Sequence, residues 1–227
     1  MASYHIRKYR DSDHKSVVDL FSRGMEEHIP TTFWYMLMLP RTLLLFFGVT
    51  LILLLASGSW ILVLLSSLIL FVSLWLLAKY TWEKYKVFCL HTDIADIPTT
   101  YLSSRDSCFW VADSRGEIVG MVSALPVEDP LLQKKQLRLQ HLSVSLAHRR
   151  EGIGKAMVRT VLQFAQARGF SEVVLSTSIL QYAALALYQN MGFQKTGESF
   201  YTIISRLRKS PLINFKYCLT SAQEGGL

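Results

Sequence analysis

Apolar and polar positions change rhythm several times along the chain. Tyr4-His5-Ile6-Arg7-Lys8-Tyr9 alternates, which predicts a strand. Ser12 or Asp13 can cap a helix whose apolar stripe is Val17, Val18, Leu20 and Phe21, with Gly24 and Pro30 marking its decay. Beyond an uninterrupted apolar block, residues 93–102 predict a short helix and Cys108–Ala112 a strand. Asp113-Ser114-Arg115-Gly116 makes a hairpin turn to a partner strand, Ile118–Leu125, ended by Pro126. A polar loop at 127–135 leads to a strand at Leu137–Val144. His148 to Lys155 then opens directly into a helix carried by Ala156, Met157, Val158, Val161, Leu162 and Ala165, stopped at Arg168-Gly169. Val173–Leu175 predicts a short buried strand, and Tyr182–Asn190 a helix closed by Gly192. Strands are expected at Gln194–Gly197, Phe200–Leu207 and Ile213–Leu219, and a frayed tail from Ser221 to Leu227.

The apolar block changes this picture. Thr42 to Ala78 is a run of 37 residues without a charge, closed by Arg41 and Lys79. One straight helix of that length measures about 55 Å, against a hydrocarbon core of roughly 30 Å. Ala56-Ser57-Gly58-Ser59 is its one cluster of small, turn-prone residues, so the block reads as a helical hairpin in a lipid bilayer. Trp34, Tyr35, Tyr80, Trp82 and Tyr85 lie where the interfaces would be. Arg41, Lys79, Lys84 and Lys86 put both ends on the cytosolic side.

Composition adds limits. Lys and Arg outnumber Asp and Glu by 24 to 17, without a basic block, and no nucleic-acid-binding motif accompanies the charge. Cys89, Cys108 and Cys218 show no metal-ligand spacing, so neither a metal site nor a disulfide framework is expected.

The chemistry concentrates in Arg149-Arg150-Glu151-Gly152-Ile153-Gly154-Lys155. Between a strand and a helix, two glycines let backbone approach a ligand closely, and the helix start offers unpaired N–H groups and a positive dipole end. With Arg149, Arg150 and Lys155 beside it, such a turn suits a diphosphate.

Residues 137–193 resemble the GCN5-related N-acetyltransferases (GNAT). Arg149, Gly152 and Gly154 fit the family's Arg/Gln-x-x-Gly-x-Gly/Ala pattern, and Ala184 to Phe193 is similar to its A-x-x-LY-x-x-x-GF helix. The opening strand and helix look like the family's first β–α unit, so the resemblance covers residues 3–28 and 93–208. The long apolar insert, His141-Leu142-Ser143-Val144 and the Ser221-Ala222-Gln223 ending are similar to the camello-like, or N-acetyltransferase 8, branch.

The resemblance implies an α/β (α+β) class and a GNAT fold: a mixed, mostly antiparallel sheet flanked by helices, with an inserted transmembrane hairpin. Residues 1–28 would supply the first strand and helix, 29–92 the membrane insert, 93–220 the main domain and 221–227 the tail. It implies acetyl-CoA as co-substrate and no metal. Tyr188 matches the tyrosine that protonates the departing CoA thiolate. Leu142 and Val144 would hold the pantetheine arm through their backbones. Arg149, Arg150, Gly152, Ile153, Gly154 and Lys155 would hold the diphosphate, and Gln181 stands where the family usually has a CoA-contacting Asn. Ser176 stands where some relatives carry a carboxylate base, leaving His141 and Glu128 as relays through water. The branch implies the endoplasmic reticulum membrane or its Golgi intermediate, a cytosolic catalytic domain and an amine acceptor. That acceptor is expected to be the α-amino group of a cysteine S-conjugate. A lysine of secretory proteins or histones is the alternative, and a non-catalytic membrane scaffold or adhesion regulator a third reading. Oligomeric state is not legible.

Overall fold

The structure, a computed structural model, describes residues 4–128, 135–200, 205–206 and 208–219. They form two compact units, one of the described residues up to Gly24 and from Cys89 onward, the other of residues 25–88.

In the first unit, β1 (His5–Lys8) is followed by a 3-10 turn at Asp11–Asp13 and α1 (His14–Glu26). After the insert come β2 (Cys108–Ser114), β3 (Glu117–Pro126) and β4 (Gln136–Val144). Then follow α5 (Ile153–Ala167), β5 (Glu172–Ser178), α6 (Tyr182–Asn190), β6 (Gln194–Ser199) and β7 (Leu212–Cys218). The sheet order is β1-β2-β3-β4-β5-β7-β6, antiparallel except for the β4–β5 pair.

Strand alternation sorts the core. Trp110, Ala112, Val122, Leu137, Leu139, Val173 and Leu175 meet the stripe Ile153, Met157, Val158, Val161 and Ala165 of α5. On the opposite face Phe109 stacks edge-on with Tyr9 and with Tyr101, and Phe21 of α1 meets His141. Arg7 ties the first β–α unit to the hairpin. It grips both carboxylate oxygens of Asp13 at 2.6 and 2.9 Å and donates twice to Asp113 Oδ2 at 3.0 and 3.2 Å.

The second unit holds α2 (His28–Leu37), α3 (Pro40–Ser57) and most of α4 (Trp60–His91), whose last residues, from Cys89 on, belong to the first unit. Gly58 closes α3 in the left-handed conformation, φ +60°, which a glycine adopts without Cβ strain. Both α3 and α4 are long and apolar enough to cross a membrane, and their apolar windows are 0% and 11% buried. Around Ile29, Met36, Ala78 and Trp82, α2 packs on the later part of α4, where Trp82 Nε1 donates to Thr32 Oγ1 at 2.7 Å.

Three expectations are adjusted. The first helix ends at Glu26, between Gly24 and Pro30, but the chain does not leave helix for long: Pro30 lies in the first turn of α2, where its missing N–H is no loss. The short helix expected within residues 93–102 is confined to its second half: turns through Asp96 lead into a π-helical turn, Pro98–Leu102. Phe200 lies outside any strand and Ser205–Arg206 are helical, so residues 200–207 do not form one strand; 201–204 and 207 lie outside the described residues. So do most of the loop at 127–135 and the tail 221–227.

Candidate active site

The parallel ladder between β4 and β5 is short. It pairs Gln136–Arg138 with Glu172–Val174 and stops, while β4 stays with β3 to Val144 and β5 with β7 to Ser178. The two central strands therefore part, opening a seam lined by backbone. A bulge helps: Met121 pairs with Ser143 and Ser123 with Gln140, so one residue of β3 faces two of β4, and His141 takes φ +54°. Ser145 N–H bonds Val119 O at 2.8 Å, so by strand alternation the backbone of Val144 faces away from β3. Its carbonyl accepts from Arg149 Nε at 3.3 Å.

From Val144 the chain enters a 3-10 turn at Leu146–His148, then Arg149 and Arg150, the latter at φ +65°. Gly152 has φ +83° and no atom within 4 Å of where a Cβ would stand. Its need for glycine is thus conformational, and it leaves open space before the N-terminus of α5. A Cβ on Gly154 would lie 3.4 Å from Leu187 of α6 and 3.8 Å from Val144, so β4, α5 and α6 converge there. Arg149, Arg150 and Lys155 are exposed around this turn. Leu142, Val144 and the 149–155 segment are brought together at the open end of the seam.

Tyr188, next to Leu187, is 5% exposed and packs against Phe193 and Phe215 with ring centroids 5.6 and 6.1 Å away. Burial pushes its phenol pKa up, so the proton stays on at neutral pH. Gln181 stands at the N-cap position of α6, but its side chain turns back to β5: Oε1 accepts from Thr177 Oγ1 at 2.7 Å and Ser178 N–H at 3.1 Å. That oxygen is thus used in the β5–α6 turn. Ser176 donates to Asn214 Oδ1 at 2.7 Å, and Glu128 is exposed beyond the end of β3.

His141 has a setting that spacing does not disclose. Asp93 Oδ2 lies 2.5 Å from His141 Nε2 and accepts from Tyr101 O–H at 2.5 Å. Burial raises the Asp93 pKa, but the bonds and charge of His141 and Tyr101 outweigh it and hold the carboxyl at about 2. Burial and the neighbouring Asp93 push the Tyr101 phenol up. Cys89 completes a set of ligand-type atoms within 4.8 Å of one another with Asp93 and His141. No sequence spacing discloses this grouping, because it is tertiary, assembled from the end of α4, the turn at Asp93 and the bulge of β4. None of the three cysteines forms a disulfide.

A shallow pocket of about 310 Å³ lies on the side of β4, β5, β7 and β6 that carries Gln136, Arg138, Ser176, Asn214 and Lys216.

The acetyltransferase (GNAT) family model matches residues 72–193. N-acetyltransferase family 8 member 7 of Mus musculus is 78% identical over 227 residues, covering 100% of both chains. N-acetyltransferase 8B of Homo sapiens is 56% identical over 227 residues, again covering 100% of both. Among solved structures, an acetyltransferase of GNAT family from Staphylococcus aureus superposes with a TM-score of 0.57 at 15% identity, covering 96% of this chain and 100% of that one, a likeness of fold alone. Matched along its whole length at such identity, and carrying the diverging strands and glycine turn just described, the chain belongs to the N-acetyltransferase 8 family of GNAT enzymes and is an acetyl-CoA-dependent N-acetyltransferase.

Proposed function

We propose that the acceptor is the α-amino group of a small amphipathic amino acid of the cysteine S-conjugate kind, acetylated at the endoplasmic reticulum membrane. The observation that carries this reading is the pocket beside the seam. Its volume of about 310 Å³ suits a small molecule. Arg138, at the last rung of the β4–β5 ladder, is exposed and makes no ion pair among the described residues. A guanidinium so placed binds a carboxylate, which an amino acid carries beside its amine and a protein lysine does not.

Acetyl-CoA supplies the activated acetyl thioester. The backbone turn at Gly152–Lys155, with Arg149 and Arg150, fits its diphosphate, and the outward backbone of Leu142 and Val144 fits its pantetheine arm and the thioester carbonyl. Tyr188 holds the proton for the departing thiolate.

The bilayer reading rests on α3 and α4 and on one pairing. β1 precedes the insert, β2 follows it, and the two are neighbours in one sheet, with His5 opposite Asp113. Both flanks of the insert therefore belong on one side of the membrane, and the basic residues Arg41, Lys79, Lys84 and Lys86 favour the cytosol. An N-glycosylation acceptor inserted at Gly58 is expected to be modified in microsomes; modification of one at the N-terminus instead would reverse the orientation.

The acceptor is tested by incubating the detergent-solubilised chain with labelled acetyl-CoA and either S-benzyl-L-cysteine or a lysine-containing peptide. N-acetyl-S-benzyl-cysteine is the expected product, and Arg138→Gln should raise KM for S-benzyl-cysteine about tenfold, the worth of one charge-assisted contact. Acetylation of the peptide alone would make the chain a protein lysine acetyltransferase.

A further inference from the structure

The base that frees the acceptor amine has no counterpart among the carboxylates on β5, where Ser176 stands bonded to Asn214. The bulge of β4 offers another group. His141 is held in left-handed backbone, φ +54°, one residue before Leu142 at the seam. A non-glycine residue in that region is uncommon, and here the bulge and its surroundings hold it there. The constraint is visible: Phe21 stands edge-on to the ring at 5.4 Å, Tyr101 at 6.4 Å, and Asp93 Oδ2 lies 2.5 Å from Nε2.

The hydrogen bonds define the ring chemically. Asp93 is ionised and accepts from Tyr101, so its carboxylate can only accept from His141 as well. Nε2 therefore carries the proton, and in the neutral ring the lone pair sits on Nδ1. Among the described residues the ring's hydrogen bond is the one to Asp93. The titratable groups facing the ring are Asp93, Tyr101 and Cys89, and α1 contributes Phe21.

We propose that His141, oriented by Asp93 and Tyr101, is the proton acceptor of the transfer reaction, drawing the proton of the acceptor ammonium across one water to Nδ1. The side chain is 4% exposed and does not reach the amine itself in this reading, so one water is needed to carry the proton to Nδ1. The ammonium gives one proton to the water, and the water gives one to Nδ1. The amine lone pair forms the N–C bond as the C–S bond of the thioester breaks. The thiolate takes the Tyr188 proton, and the second amine proton restores the phenol. One proton leaves through His141 for each amide formed.

The role rests on the acetyltransferase reaction and on no particular acceptor, so the test uses whichever of S-benzyl-L-cysteine and the lysine peptide the wild-type enzyme acetylates. His141→Gln keeps an N–H for Asp93 and removes the base. Its kcat is expected to fall about 100-fold with CoA binding unchanged. The variant's kcat should climb more steeply toward pH 9 than the wild type's, because its acceptor amine can lose its proton only to bulk water. His141→Gly relieves the backbone and leaves an imidazole-sized hole; added imidazole should restore at least a tenth of the lost rate. A His141→Gln enzyme that binds CoA and keeps kcat within threefold, with the wild-type pH profile, overturns the proposal. So does stoichiometric zinc in the purified enzyme that disappears in Cys89→Ala, because an ion at Cys89, Asp93 and His141 would displace the hydrogen bond that sets the tautomer. A wild-type enzyme that acetylates the peptide and not S-benzyl-cysteine overturns only the acceptor reading.

Discussion

Replacing Tyr188 with Phe is expected to lower kcat about 100- to 1000-fold while leaving CoA affinity within twofold. The substitution removes one hydroxyl. The ring contacts with Phe193 and Phe215 survive, so α6 keeps its seat and the glycine turn keeps its neighbour Leu187. What is lost is the proton for the departing thiolate, an interaction that matters only as the C–S bond breaks. Hence kcat and kcat/KM should fall together. Because burial raises the phenol pKa above its usual value near 10, ionisation of Tyr188 should not limit activity below about pH 10. Steady-state kinetics with calorimetric CoA titration checks both. A variant within threefold of wild type would move the proton donor to solvent.

The second large effect is on stability. Arg7→Met should cost about 2–3 kcal/mol at pH 7, somewhat below the 3–5 of a fully buried pair because Arg7 keeps 18% of its side-chain surface in water. The variant leaves two carboxylates, Asp13 at 7% and Asp113 at 12% side-chain exposure, facing a vacated guanidinium. In the wild type Arg7 holds the Asp13 pKa below its usual value, and the Gly116 N–H followed by Arg7 does the same for Asp113. A depressed folded-state pKa adds stability that is fully present above the unfolded value near 4 and is lost as pH falls through the folded one. The gap between wild type and variant should therefore be largest at neutral pH and shrink below about pH 4. Thermal unfolding followed by tryptophan fluorescence should show a Tm lower by roughly 5–10 °C at pH 7. A gap independent of pH would mean that Arg7 acts through packing of its stem.

Local rules carried much of the architecture. The Tyr182–Asn190 helix was readable to the residue because its periodicity is flanked by a C-terminal glycine. The break at Gly58 was readable because a charge-free block has few other places to turn. Pro30 follows the end of α1 but does not announce α2, because the same residue that stops a helix interior also fits a first turn, and only the following apolar face of α2 distinguishes the two. The Phe200–Leu207 expectation failed at its described positions, Phe200, Ser205 and Arg206, because β propensity is a weak guide without its tertiary context. In the site, the glycine turn and Tyr188 announce themselves locally. The Asp93–His141–Tyr101 network does not. Its members come from a turn after α4, a bulge and a π-helical turn, and no spacing rule joins a carboxylate to a histidine 48 positions away.

The pairing of β1 with β2 has a consequence for biosynthesis. His5 leaves the ribosome early, but its partner Asp113 follows only after both apolar helices have been made. At 5–20 residues per second, the first strand and α1 wait roughly 5–20 s without their sheet. During that interval the nascent N-terminus exposes Val17, Leu20 and Phe21, which the finished protein buries. The globular half thus closes late, after the apolar helices have been synthesised, and the early segment is the natural client for a chaperone.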